Sequence, residues 1–159
     1  MKRLIAIFAL LFPLAAYAGM DEGIAAYTAG EYAKALDEFR PLADQGNPDG
    51  QYFLGFMYHN GFGMKPDQAE AMKWFEKSAA QGDSRSQYYA GIIYAAGKGG
   101  VKKDLVKADM WLTISAMNPK TSYRDSLYTK EEVKRIEQKM SPEQLAQAQE
   151  LVKSWKPAN

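Results

Sequence analysis

The sequence predicts an all-α fold: an α-solenoid of antiparallel helix pairs finished by a C-terminal capping helix pair. Three observations carry this expectation. The stretch "QYFLGFMYHNGFG" at Gln51 returns as "QYYAGIIYAAGKG" at Gln87, 36 positions on, with Gly55 and Gly91, Tyr58 and Tyr94, Gly61 and Gly97, and Gly63 and Gly99 in register. One residue is then inserted, and an offset of 37 holds for Asp67 and Asp104, Ala71 and Ala108, Trp74 and Trp111, and Ala79 and Ala116. Inside the copies the apolar residues step at helical spacing. Self-similarity at such a period marks stacked supersecondary units.

The elements follow in order. Met1-Lys2-Arg3 is a basic start, "LIAIFALLFPL" from Leu4 is an apolar run, and Ala16-Tyr17-Ala18 is a small-residue A-x-A site. This is the pattern of a secretory signal peptide over 1–18, cleaved after Ala18. The apolar run of 15 residues from Leu4 to Ala18 falls short of the ~20 needed to cross a bilayer, so no stable membrane anchor is expected. The domain is then 19–159, periplasmic or secreted. It has no cysteine, hence no disulfide, and must rely on packed apolar surface. Hydrophobic residues make up 47% of the chain, too many for disorder.

The first repeat, about 20–49, is the shortest copy: Ala35, Phe39 and Gly46 match Ala71, Phe75 and Gly82. The second spans about 50–85. Its first helix carries Leu54, Gly55 and Tyr58 on one face and stops at Gly61, where a left-handed residue is easiest. Its second helix starts at Asp67 with Glu70 in capping-box spacing, carries Ala71, Trp74, Phe75 and Ala79 as a stripe, and stops at Gly82. The third repeat, about 86–117, has the same plan. Residues 118–128 fit no repeat. Capping helices are expected over about 129–155. Thr129 and Glu132 have capping-box spacing, and Ser141-Pro142-Glu143-Gln144 is a second helix start. A solenoid's last unit needs such a cover.

The motifs LG-x-x-Y, G-x-G, A-x-x-W and SAAQGD in "LGFMYHNGFGMKPDQAEAMKWFEKSAAQGD" resemble a Sel1-like repeat, a relative of the tetratricopeptide repeat. The next unit, "AGIIYAAGKGGVKKDLVKADMWLTISA", is similar, with Ala90 in place of the leucine. The resemblance implies a right-handed superhelix whose first helices line a concave binding face. It also implies a role as adaptor, assembly factor or regulator.

Function classes narrow on residue chemistry. Losing Lys2 and Arg3 with the leader takes the net charge from +1 to −1, which offers nucleic acid no general attraction. His59 is the only histidine and has no cysteine beside it, so no metal site is expected. No G-x-S-x-G or S-x-x-K motif is present. The G-x-G at Gly61 and Gly97 follows a helix rather than a strand, so it reads as a turn and no cofactor is expected. The expectation is a non-enzyme with no catalytic residues, binding a protein or peptide partner in the cell envelope. In the LG-x-x-Y register, the partner-binding candidates are Tyr52, Phe53, Phe56, His59, Asn60, Tyr88, Tyr89 and Ile92. Ordinary packing between units is the alternative reading for Phe56 and Ile92. Two other functions stay open: an immunity-type protein that neutralises a toxin, and a cell-wall hydrolase with paired carboxylates.

Overall fold

The computed structural model describes residues 12–158, with side chains from residue 19 onward. The leader expected over 1–18 therefore lies outside the residues described with side chains. Among the described residues eight helices follow one another: α1 (Phe12–Thr28), α2 (Tyr32–Asp44), α3 (Pro48–Asn60), α4 (Gln68–Ala80), α5 (Ser84–Ala96), α6 (Leu105–Met117), α7 (Tyr123–Glu137) and α8 (Pro142–Ser154). Among the described residues there is no strand, and no helix is long and apolar enough to cross a membrane.

Side-chain caps set where the repeat helices begin. Asn47, Asp67, Asp83 and Asp104 each accept the backbone N–H three residues on, at 2.8–3.0 Å, satisfying a donor that the helix itself leaves free. The reciprocal half of the box expected at Asp67 is not formed. The Glu70 carboxylate instead takes a bond from Lys73 at 2.7 Å, one turn along. At α8 both halves of the box form between Ser141 and Gln144. Left-handed glycines end the first helix of each Sel1-like copy: Gly61 at φ 75° and Gly97 at φ 59°.

Neighbouring helices pack in sequence from α1 to α7, and α8 returns to α6. Two apolar clusters result. One joins the first and second units around Phe39, Leu54, Met57 and Trp74. The other joins the second and third units around Phe75, Ile93, Trp111 and Leu112, with Val133, Leu151 and Trp155 of the closing helices packed on it. Gly55 and Gly91 hold equivalent places. An added Cβ would meet Phe75 and the Ala71 carbonyl at the first, and Leu112 and the Ala108 carbonyl at the second.

The closing helices differ from expectation at their start. Ser122, not Thr129, caps α7, its Oγ accepting from the Asp125 N–H at 3.2 Å. Thr129 lies buried inside the helix and donates to the Asp125 carbonyl at 2.7 Å. Half of the 118–128 segment is therefore helical. The spacing of Thr129 and Glu132 points to the wrong start, because Thr129 is buried within the helix and Ser122 supplies the cap.

Candidate functional site

A groove of about 750 Å³ runs across the first turns of α3, α5 and α7. Its walls follow from the caps. Asn47, Asp83 and Ser122 start these three helices; Asp49 and Tyr52 stand two and five residues past their cap, Arg85 and Tyr88 likewise, and Asp125 and Tyr128 three and six. The inter-repeat turns at Gln81-Gly82 and Lys120-Thr121 complete it.

Tyrosines dominate the floor. Ring centroids are 6.2 Å apart from Tyr52 to Tyr89, 5.6 Å from Tyr89 to Tyr88 and 6.4 Å from Tyr88 to Tyr128. Burial pushes the Tyr52 phenol up to about 12, with Tyr89 adding and Arg85 opposing. Burial also pushes Tyr88 up to about 12, helped by Tyr128 and Glu132. Tyr89 is raised for the same first reason. These phenols therefore stay protonated, and able to donate, throughout the neutral range.

Arg85 ties one repeat to the next. Its guanidinium donates to Asp83 at 2.6 and 3.0 Å, pairs with Asp49 on α3, and lies 4.0 Å over the Tyr52 ring. Burial pulls the guanidinium down, but Asp83 and Asp49 outweigh it and the net shift is upward. Two of the groove's carboxylates are thus engaged. The third, Asp125, accepts from Ser122 Oγ at 2.6 Å.

Of the eight candidates read from the sequence, the structure brings Tyr52, Tyr88 and Tyr89 into the groove and leaves five outside its lining. Phe53 stacks on Phe39 at 4.6 Å and 8°, a contact between units. Phe56 sits among Tyr27, Phe62 and Tyr89. His59 is held by Gln68. The Nδ1–Oε1 distance is 2.7 Å, and Gln68 Nε2 donates to the His59 carbonyl at 2.9 Å. Since a carboxamide oxygen only accepts, Nδ1 carries the proton. Asn60 is exposed and donates to the Phe56 carbonyl of its own helix. Ile92 is half-buried against the second cluster.

Sequence reasoning missed Arg85, Asp49 and Tyr128. A signal for Tyr128 existed: counted from the caps, it stands six residues after Ser122, as Phe53 follows Asn47 and Tyr89 follows Asp83. Taking Thr129 as the cap hid that register.

Repeated helix pairs with a concave aromatic face define an α-solenoid repeat protein. The chain carries two Sel1 repeats: residues 48–83 and 84–119 each match the Sel1 repeat. Among solved structures it is similar to a protective antigen of uropathogenic Escherichia coli that displays an SLR fold. The two share 31% identity at a TM-score of 0.79 over 88% of this chain. The match spans only 29% of that antigen's length. It also shares its fold with a Sel1 repeat protein from Oxalobacter formigenes, at 24% identity and a TM-score of 0.57, over 72% of this chain and 54% of that one. No curated protein matches the sequence.

Proposed function

We propose that this protein is an exported, non-catalytic interaction module that binds a protein or peptide partner of the cell envelope in the α3–α5–α7 groove, as an adaptor or regulator. The observation that carries the reading is the groove itself: four tyrosines, rigid and amphipathic, gathered from three helices, α3, α5 and α7, on one concave face. Such side chains supply contact area at low entropic cost. Its three carboxylates are occupied by Arg85 or Ser122, an arrangement suited to holding shape rather than to moving protons. The one carboxyl whose pKa is pushed to about 6, Asp109, is not part of the groove lining. Export is supported by the leader pattern. A chain starting at Gly19 retains Met20, Ala26 and Tyr27, the α1 residues packed in the first cluster.

Affinity capture from the native envelope, with mass spectrometry, tests the binding role. The double variant Tyr88→Ala/Tyr128→Ala is expected to lose the captured partner. A partner retained undiminished places the binding surface elsewhere. Cell fractionation with N-terminal sequencing tests export, with Gly19 as the expected first residue. A cytoplasmic chain beginning at Met1 would overturn it.

A further inference from the structure

We propose that the α5–α7 half of the groove takes an arginine side chain of the partner, stacked on the Tyr88–Tyr128 pair and held by Asp125. The inference rests on the peptide-binding reading above and names a residue that the partner must present.

The tyrosine pair is a repeated feature. Tyr52 and Tyr88 stand five residues past the caps of α3 and α5, and Tyr89 and Tyr128 stand six past those of α5 and α7. Tyr52 and Tyr89 have ring centroids 6.2 Å apart and planes tilted by 46°. Tyr88 and Tyr128 repeat this at 6.4 Å and 48°. Both helix junctions therefore build the same aromatic corner. The first is filled from within, because the Arg85 guanidinium lies 4.0 Å over the Tyr52 ring. Among the described residues no cation stands over Tyr88 or Tyr128.

The carboxylates explain the difference. Arg85 is the second residue past its cap, and two acids hold it: the cap Asp83 and, from the preceding helix, Asp49. One junction further on, the residues in those two places are Ser122 and Arg85 itself. Nothing negative is left there to hold Arg124, which stands where Arg85 stands in α5. Arg124 is exposed and is not part of the groove lining.

Negative charge for an incoming cation comes from elsewhere on α7. Asp125 lines the groove one turn before Tyr128, and among the described residues it has no ion pair. It takes one side-chain hydrogen bond, from Ser122, and a carboxylate has room for about four. Glu132, one turn after Tyr128, acts on the Tyr88 phenol and pairs only with the exposed Arg135. The charge of Arg85 is already balanced by its two acids, so it does not repel a second cation strongly. A guanidinium suits the corner better than an ammonium, since it lies flat on a ring while donating sideways to a carboxylate. Arg85 does both within the chain, giving two nitrogens to Asp83.

The test is an NMR titration of the nitrogen-15-labelled protein with a Gly/Ser decapeptide carrying one central arginine. Its twin carries citrulline, which keeps the planar group and loses the charge. The arginine peptide is expected to shift backbone amides of α5 and α7 around Tyr88 and Tyr128, and to bind about tenfold tighter than the twin. Asp125 is exposed, so Asp125→Asn keeps the fold; it is expected to weaken the arginine peptide about fivefold. Asp125→Arg is expected to reverse the preference, binding a glutamate twin over the arginine peptide, which a merely structural role would not produce. Equal binding of the arginine and citrulline peptides, absence of binding included, overturns the proposal. So do shifts confined to other helices, or arginine binding indifferent to Asp125→Asn. If Asp125→Asn still captures undiminished an envelope partner that Tyr88→Ala/Tyr128→Ala loses, the arginine contact falls and the peptide-binding reading survives.

Discussion

The two Sel1 units, α3–α4 and α5–α6, share a set of hydrogen bonds to the letter and differ in what surrounds them. Gln51 donates to the Ala43 carbonyl at 3.3 Å, and Gln87 to that of Ala79 at 3.2 Å. Ser78 donates to Pro48 and Ser115 to Ser84, both at 2.8 Å. Beyond these the copies diverge. Gln81 spans from the Gly46 carbonyl to Gln51 Oε1. Its counterpart Asn118 donates to the Gly82 carbonyl at 2.9 Å and accepts from the Lys120 N–H, and it leaves the fully buried Gln87 Oε1 without a partner. Met72 is replaced by Asp109, also buried, with Oδ1 unpartnered. Phe75 at the glycine contact becomes Leu112. The bonds that define the unit run side chain to backbone and survive the divergence. Side chain to side chain bonds drift, and the third unit carries the less satisfied interior.

The largest expected effect lies at Asp109. Burial, with Glu137 adding, raises its carboxyl from 3.8 to about 6. A raised acid favours the folded state while protonated. Its stabilising contribution is complete below about pH 4 and is lost as pH rises through about 6. Between those limits wild type should lose up to about 3 kcal/mol relative to Asp109→Asn, followed by denaturant melts across pH. Parallel pH profiles would show that the folded chain already solvates this carboxylate.

Next come the close-approach glycines. A Cβ at Gly91 falls 2.5 Å from Leu112 Cγ, whereas at Gly55 the nearest atom is Phe75 Cδ1 at 3.0 Å. Gly91→Ala should cost about 2 kcal/mol through overpacking. Gly55→Ala should change stability by less than about 1 kcal/mol, since alanine's helix preference offsets the tighter contact. An equal loss in both variants would mean that the copies pack alike.

Smaller still is the amide latch. Asn118→Gln should restore the Gln87 contact and stabilise the chain by about 1 kcal/mol. Gln81→Asn should remove its equivalent and cost about the same. Thermal melts read both, and a destabilising Asn118→Gln would show that no room exists for the added methylene. The smallest contrast is at the repeated tyrosine. Tyr94 donates to Glu76 at 2.5 Å and accepts from Lys107 at 3.2 Å, whereas Tyr58 has one exposed 3.4 Å contact with Arg40. Tyr94→Phe should cost about 1 kcal/mol and Tyr58→Phe nothing measurable.

Much of the scaffold is legible because its determinants are local. Asp67, Asp104 and Ser141 bond within their own first turn, and Gly61 and Gly97 turn left-handed where a side chain would be strained. The groove is less legible. Helical spacing puts Phe53 beside Tyr52 on the same flank, yet only the approach of α2 turns Phe53 onto Phe39. Likewise, nothing in the spacing around His59 announces Gln68, which reaches it across the turn from the next helix.

By itself, then, the sequence determined the repeat length, the helix ends and the small-residue contacts, all of which depend on residues within a turn or within one helix pair. Tertiary structure alone decided which rings meet solvent, that Arg85 clamps Asp49 across 36 positions, and that Tyr128 joins the groove. The physical reason is that a helix shows several flanks to its surroundings, and only the packing of the next pair determines which of them is left uncovered.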